Sequence, residues 1–312
     1  EPGGTYKVTF SAAGKADVPV SWLLSHRSGV IDTDARLTLD EALDWDTVTA
    51  ALAASSPAWE PGTAHGYHAV TYGWLVGEVV RRVAGTDLGS FVRDELAGPL
   101  GLDLWIGLPD EEQHRVAPLI PFRADGLEAL TGALTPEAAD GPTDGAGAPP
   151  QTLLDMLNSF LGEGNLAAKA LTAPGGAFAD ENSWNEPRVR SAQVPAANGV
   201  TNAPSLARLY ASLVSEVDGT RLLDPATVDR AIVQQVDGPD RVLMFPIPFA
   251  LGFMSHSDFS PFLGGRSFGH YGAGGSAGFA APARGRPGAY VMNQMQPRIP
   301  GGPPTAGLPP PG

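Results

Sequence analysis

One segment of this chain carries a clear helical stripe. Tyr72, Leu75, Val76, Val79, Val80 and Val83 fall at i, i+3, i+4, i+7, i+8 and i+11, the spacing of one face of an α-helix. Gly73 and Gly77 sit four apart, where they would let another element approach closely. Arg81 and Arg82 suit the last turn, and Gly85 supplies a C-terminal stop. A second helix is predicted from about Leu88 to Leu96 with Asp87 as its cap. Upstream, "VSWLLSHRSGV" (20–30) reads as an apolar turn of helix closed by Ser28-Gly29. "TLDEALDWDTVTAALAAS" (38–55) reads as one helix, with acids early and alanines late. "NAPSLARLYASLVSEVDG" (202–219) is predicted to be a helix with Pro204 in its first turn and Gly219 at its end.

From about residue 248 the pattern changes. "FALGFM", "RSFGHYG", "SAGFAAP" and "AYVMNQM" are short apolar or small-residue runs separated by glycine and proline. They predict neighbouring antiparallel strands joined by tight turns. "WEPGTAHGY" (59–67) is a loop punctuated by Pro61-Gly62. Residues 121 to 150 read as loop with a short helix at most, and 296 to 312 as a Pro/Gly-rich tail. The predicted organisation is therefore an irregular segment (1–16), a mostly helical region (17–200), a helix with antiparallel strands (201–295) and the tail. The class is α+β.

Composition narrows the function. A 312-residue chain with 43% apolar residues can bury a sizeable core. A net charge of −14 repels phosphate backbones and anionic lipid, which argues against nucleic-acid and membrane-surface partners. There is no cysteine, hence no disulfide and no thiolate metal site. Scattered acids without a histidine cluster argue against a metal. No apolar run has membrane-span length, and no signal peptide is visible, so a cytoplasmic location is expected.

Gly274-Gly275-Ser276-Ala277-Gly278 spells G-x-S-x-G, the sequence of a nucleophile elbow. That turn needs a strand before the serine and a helix after it. Pro282, Gly285, Pro287 and Gly288 forbid the helix, and no Asp, Glu or His follows Ser276. Ser276 is therefore expected to be a strand residue and not a nucleophile. The glycine run would instead bring backbone close to a ligand and offer N–H groups to an oxyanion. Ser25 and Ser28 beside His26 suggest a Ser–His pair, but side chains two or three apart in one turn rarely form a productive nucleophile. His114 and His256 read as surface residues. His65 reads as a polar loop residue.

Several blocks together resemble the serine β-lactamase and penicillin-binding-protein superfamily, and within it the family VIII carboxylesterases. They are "VSWLLSHRSGV", "WEPGTAHGYHAVTYGWLVGEVVRRVAG", "PLGLDLWIGLP", "NGVTNAPSLARLYASL" and "SFGHYGAGGSAGF" followed by "YVMNQM". The resemblance implies a β-lactamase-like fold, an antiparallel sheet flanked by helices plus a mostly helical region. It implies a small-molecule ester or amide substrate. The implied enzyme is a serine carboxylesterase that acts on short-chain esters through an acyl-enzyme and without a cofactor, with an inactive fragment or pseudoenzyme that at most binds ligands, or a β-lactamase- or D-alanyl-D-alanine-peptidase-like activity, as the alternatives. Tyr67 would be the catalytic tyrosine, base on the serine and then acid on the leaving alcohol. His270, Tyr271, Gly272 and Ala273 would form the oxyanion and substrate-binding motif, with the Ala273 N–H as one donor. His68 and Ala69 are candidate pocket positions. Ala69 stands where lactamases carry asparagine, which favours the esterase branch.

The family's nucleophile motif, S-x-x-K, has no counterpart here. Lysine occurs only at Lys7, Lys15 and Lys169, and the residues three before them are Gly4, Ala12 and Leu166. The expectation is that the nucleophile segment lies upstream of this chain and that the chain as given is inactive.

Overall fold

A computed structural model describes residues 7–8, 18–121, 158 and 161–296. The loop expected at 121–150 lies almost wholly, and the tail at 296–312 except for its first residue, outside the described residues. The short strand β1 (Lys7–Val8) pairs antiparallel with β2 (Val18–Pro19). Helix α1 (Val20–Leu24) follows at once.

The stretch predicted as one helix over 38–55 is two: α2 (Leu39–Ala42) and α3 (Trp45–Ala54). Asp44 makes the break, because its carboxylate accepts the Thr47 N–H and starts a new helix. Thr38 and Glu41 form a reciprocal capping box on α2.

Helix α4 (Thr71–Ala84) ends at Gly85 in the left-handed conformation (φ 71°), as its sequence predicts. Its two glycines do what their spacing suggests. A Cβ on Gly73 would lie 2.5 Å from the Ala196 nitrogen, and one on Gly77 would lie 2.7 Å from the Trp45 ring. The valine stripe is covered only toward the N-terminus. Leu75 is buried, whereas Val83 is 57% exposed.

Asp87 caps α5 (Leu88–Phe91), which passes into a π-helical turn, Val92–Ala97, and then α6 (Gly98–Leu100). Strand β3 (Leu104–Trp105) pairs with β4 (Val200–Thr201). Between them lie a 3-10 turn (Asp110–Arg115), α7 (Leu166–Thr172) and α8 (Pro187–Ser191). Helix α9 (Ala203–Val214) is capped by Asn202 but stops five residues short of Gly219. Asp218 (φ 48°) and Gly219 (φ 80°) instead form a tight turn that pairs Val217 with Thr220. Helix α10 (Pro225–Ala231) is the last α-helix among the described residues.

The sheet is antiparallel, in the order β5 (Met254–Ser255), β6 (Phe268–Tyr271), β7 (Ala277–Ala281), β8 (Arg286–Tyr290). The last strand begins before the predicted "AYVMNQM". Pro287 is tolerated because β8 is an edge strand among the described residues, and Gly288 leaves room for the Phe279 ring across the ladder. Helix α9 lies on β7 and β8. Gly278 permits this, since a Cβ there would lie 2.4 Å from the Tyr210 ring. Phe268, Ala280 and Val228 form the small core under that helix. The main core gathers Leu23, Leu52, Trp74, Phe249 and Met254 from the helical segments and the strand region. Burial of each such side chain contributes about 1.5–3 kcal/mol.

Candidate active site

Tyr67 lies on the loop before α4, and that loop is pinned from several sides. The Gly66 N–H donates to the His26 carbonyl (3.1 Å), and the His68 N–H donates to His26 Nδ1 (3.1 Å). The Tyr67 N–H donates to Asp240 Oδ1 (3.1 Å), which also accepts from the N–H groups of Val242 and Leu243, each at 2.8 Å. Gly66 carries no Cβ because one would lie 2.6 Å from the Trp59 ring. His26 itself sits at φ 59°, a conformation that costs a non-glycine residue energy and persists only where surroundings hold it.

The Ser–His pair of this region is not the one adjacent in sequence. Ser28 Oγ lies 2.8 Å from His68 Nε2, and His68 Nδ1 lies 2.7 Å from the Gly66 carbonyl. A carbonyl can only accept, so Nδ1 carries the proton and the Ser28 hydroxyl donates to Nε2. Ser28 is fully buried and His68 is 2% exposed. His68 therefore does not line the cleft, contrary to the expectation for a pocket residue; the loop turns its ring inward. Burial holds its pKa down at about 4. Burial, then the neighbouring His68, His270 and His65, holds His26 well below the ordinary histidine value. Both rings are neutral near pH 7.

The Tyr67 ring stacks on Phe249 (centroids 6.0 Å apart, planes 6° apart) and lies 5.3 Å from His26 and 5.7 Å from His270. Burial, followed by the Asp240 carboxylate, raises the phenol above its ordinary pKa. The hydroxyl is thus a proton donor in this environment.

The opposite contribution comes from β6 and the turn after it. Successive strand residues face opposite ways. His270 lines the cleft with Tyr67, while Tyr271 does not. The Tyr271 hydroxyl donates to the Pro261 carbonyl (2.5 Å) and its ring stacks on Phe262 at 4.8 Å. Its side chain is thereby removed from the substrate-binding role expected for it. Desolvation lowers the half-buried His270 to about 4, so this position carries no charge near neutrality.

Gly272 and Ser276 close the turn, with the Gly272 N–H donating to the Ser276 carbonyl at 2.7 Å. A Cβ on Gly272 would lie 2.1 Å from Ser276 Oγ. Ala273 is exposed at the cleft, and its N–H has no acceptor among the described residues. Ser276 faces the cleft from this turn, one residue before β7 rather than within it. A strand and not a helix follows it, so the elbow geometry is absent.

Tyr67, Ala69, His270, Gly272 and Ala273 thus share one cleft of about 890 Å³. Asp240 and Phe249, which hold Tyr67, were not among the residues singled out from sequence. Their partners are more than 170 residues away in the chain, and only the Pro239-Asp240 pair offers a local signal, that of a turn.

Residues 5–303 match the Beta-lactamase family. The chain belongs to the beta-lactamase family. It is 31% identical over 301 residues to the esterase/beta-lactamase LipL of Mycobacterium tuberculosis, and spans 63% of that protein's length and 94% of its own. Among solved structures it resembles EstA of Arthrobacter nitroguajacolicus (31% identity, TM-score 0.73, covering 92% of this chain and 70% of that one). It also resembles a family VIII carboxylesterase (33%, 0.72, covering 94% and 70%). A third likeness is to a penicillin-binding protein homologue from Caulobacter crescentus (36%, 0.69, covering 92% and 68%). The beta-lactamase fold expected from the sequence is the fold observed, with helices about an antiparallel sheet. No helix among the described residues is long and apolar enough to cross a membrane.

Proposed function

We propose that this chain provides the tyrosine and oxyanion walls of a serine esterase that acts on small carboxylic esters. The observation that carries the reading is the convergence of Tyr67, the His270 ring 5.7 Å from it, and the uncommitted Ala273 N–H on one cleft. A relative named as a carboxylesterase favours esters, while one named esterase/beta-lactamase joins esters to cyclic amides.

The chemistry is acyl transfer. A serine oxygen, losing its proton to a base, bonds to the carbonyl carbon of the substrate ester, whose oxygen becomes an oxyanion; the bond to the alcohol oxygen then breaks, the alcohol leaves with that proton, and water later releases the acid from the serine. Ala273 N–H would stabilise the oxyanion, at a worth of about 3–4 kcal/mol for such a donor. Tyr67 would hand the proton to the leaving alcohol; its raised pKa keeps the phenol protonated until that transfer. To act first as base it needs a cation close by. His26, His68 and His270 are neutral, the Arg27 guanidinium is spent on the Gly62 carbonyl and the Trp22 ring, and Arg190, though it lines the same cleft, makes no hydrogen bond to Tyr67 among the described residues. The nucleophile and that cation are proposed to come together, as an S-x-x-K serine and lysine outside these 312 residues.

The 312-residue chain alone should therefore neither hydrolyse p-nitrophenyl acetate above the buffer rate nor take up a fluorophosphonate label. Joined to an upstream segment that bears S-x-x-K, it should do both. Tyr67→Phe in that form should lower kcat by about 10²–10⁴-fold. Labelling of the chain alone would overturn the reading, and mapping the labelled peptide would test Ser276 directly.

A further inference from the structure

Helix α8 carries two arginines with opposite fates. Arg188 points to the surface and pairs with Glu186 and Asp40. Arg190, two residues on, lines the cleft. The intervening Val189 is fully buried and fixes the helix, and the Arg190 carbonyl accepts the Leu108 N–H at 2.7 Å. The Arg190 side chain forms no ion pair and no hydrogen bond among the described residues, and its Nε is buried without an acceptor. A guanidinium is costly to leave in this state, because it has given up water at Nε and gained no partner.

The other charges of the cleft do not relieve it. Arg115 takes Asp103 (2.9 Å) and Glu112 (2.6 Å) and lies 5.5 Å from the Trp105 ring. Glu181 lines the cleft as well. Phe178 and Trp184 stack at 4.4 Å and both line the cleft, giving it a flat apolar wall.

We propose that Arg190 is a ligand-binding residue of the cleft that selects molecules carrying an apolar ring and a single carboxylate. The guanidinium fork matches the two oxygens of a carboxylate, and the aromatic wall accepts the ring. Three carboxylates also line the cleft, so a dianion such as phosphate is repelled more strongly than a monoanion. The inference deepens the esterase reading and rests on it, since the carboxylate would belong to the ester substrate.

Binding tests it without any turnover, so a failed esterase assay and a failed Arg190 assay are separate results. Phenylacetate and phenylacetamide are titrated into the 312-residue chain and followed by fluorescence, with Trp105 and Trp184 at the cleft as reporters. The acid should bind more tightly than the amide by about ten- to a hundredfold, the range of a charge-assisted hydrogen-bonded pair. Arg190→Gln should erase that preference and leave the amide's affinity unchanged, while Arg190→Lys should keep part of it. Equal binding of acid and amide by the unaltered chain would overturn the proposal. So would an intact preference in Arg190→Gln, or tighter binding of inorganic phosphate than of phenylacetate. Should Arg190→Gln fail to fold, Arg190→Lys and the acid-to-amide ratio of the unaltered chain still decide.

Discussion

The two walls of the cleft are built on opposite plans. The tyrosine wall is made of large side chains locked by their neighbours: Tyr67 on Phe249, His26 among four rings, His68 between Ser28 and Gly66. The sheet wall is made largely by leaving side chains out. Gly269, Gly272 and Gly278 let strand, turn and helix approach to distances that a Cβ would block. One wall presents a hydroxyl whose proton affinity its surroundings set. The other presents the Ala273 N–H, held by the turn between β6 and β7 and indifferent to pH, beside the His270 ring. A site that needs both a tunable proton and an untunable dipole has reason to keep them on different kinds of scaffold.

Acid should act on both walls, and more on the tyrosine wall, where two buried rings resist charge against the single His270 of the sheet wall. His26 and His68 are 4% and 2% exposed, and burial holds both pKa values below the usual 6.5, with His68 at about 4. The unfolded chain therefore binds these protons first. Stability is intact above about pH 6.5 and is lost as pH falls toward 4, with a slope of up to about 1.4 kcal/mol per pH unit for each ring. Urea unfolding at about pH 7.5, 6 and 5 measures that slope. A midpoint that stays put would mean that the tyrosine wall is wetter than described. Next in size, Phe249→Ala removes the ring under both Tyr67 and His26 and should cost about 3–5 kcal/mol. The same variant should lower the Tyr67 pKa toward its ordinary value, because water would enter; ultraviolet titration of the phenol reads this. Smaller still, Gly269→Ala sets a Cβ 2.2 Å from the Gly278 carbonyl oxygen across the ladder. It should cost about 1–3 kcal/mol by pushing β6 from β7, without moving the Tyr67 titration. If that variant shifted the phenol and Phe249→Ala did not, the division between the walls would be wrong.

Local devices were legible from sequence: the α4 stripe with its glycines and stop, the Asp87 cap, the strand region and the unsuitability of Ser276 as an elbow. Each depends on residues within about one or two turns of one another. Tyr67, His270, Gly272 and Ala273 came from resemblance to a family, and they do share a cleft. The misreadings have local causes too. Asp44 as a cap outweighed helix continuity over 38–55, and the Asp218-Gly219 turn used a glycine that had read as a helix stop. Strand alternation alone could have turned Tyr271 away once His270 was set facing the cleft. Nothing local could have paired Ser28 with His68 or Asp240 with Tyr67, because those bonds span 40 and 173 residues.

The last of these bonds has a consequence for chain topology. Asp240 receives the Tyr67 N–H, and the neighbouring Arg241 N–H reaches the His65 carbonyl at 3.0 Å. Together they knot two distant points of the chain and close a ring through most of the helical region, in a protein that has no cysteine to do so covalently. A backbone cut inside the ring leaves both new ends attached to one body, whereas a reductant leaves the knot untouched.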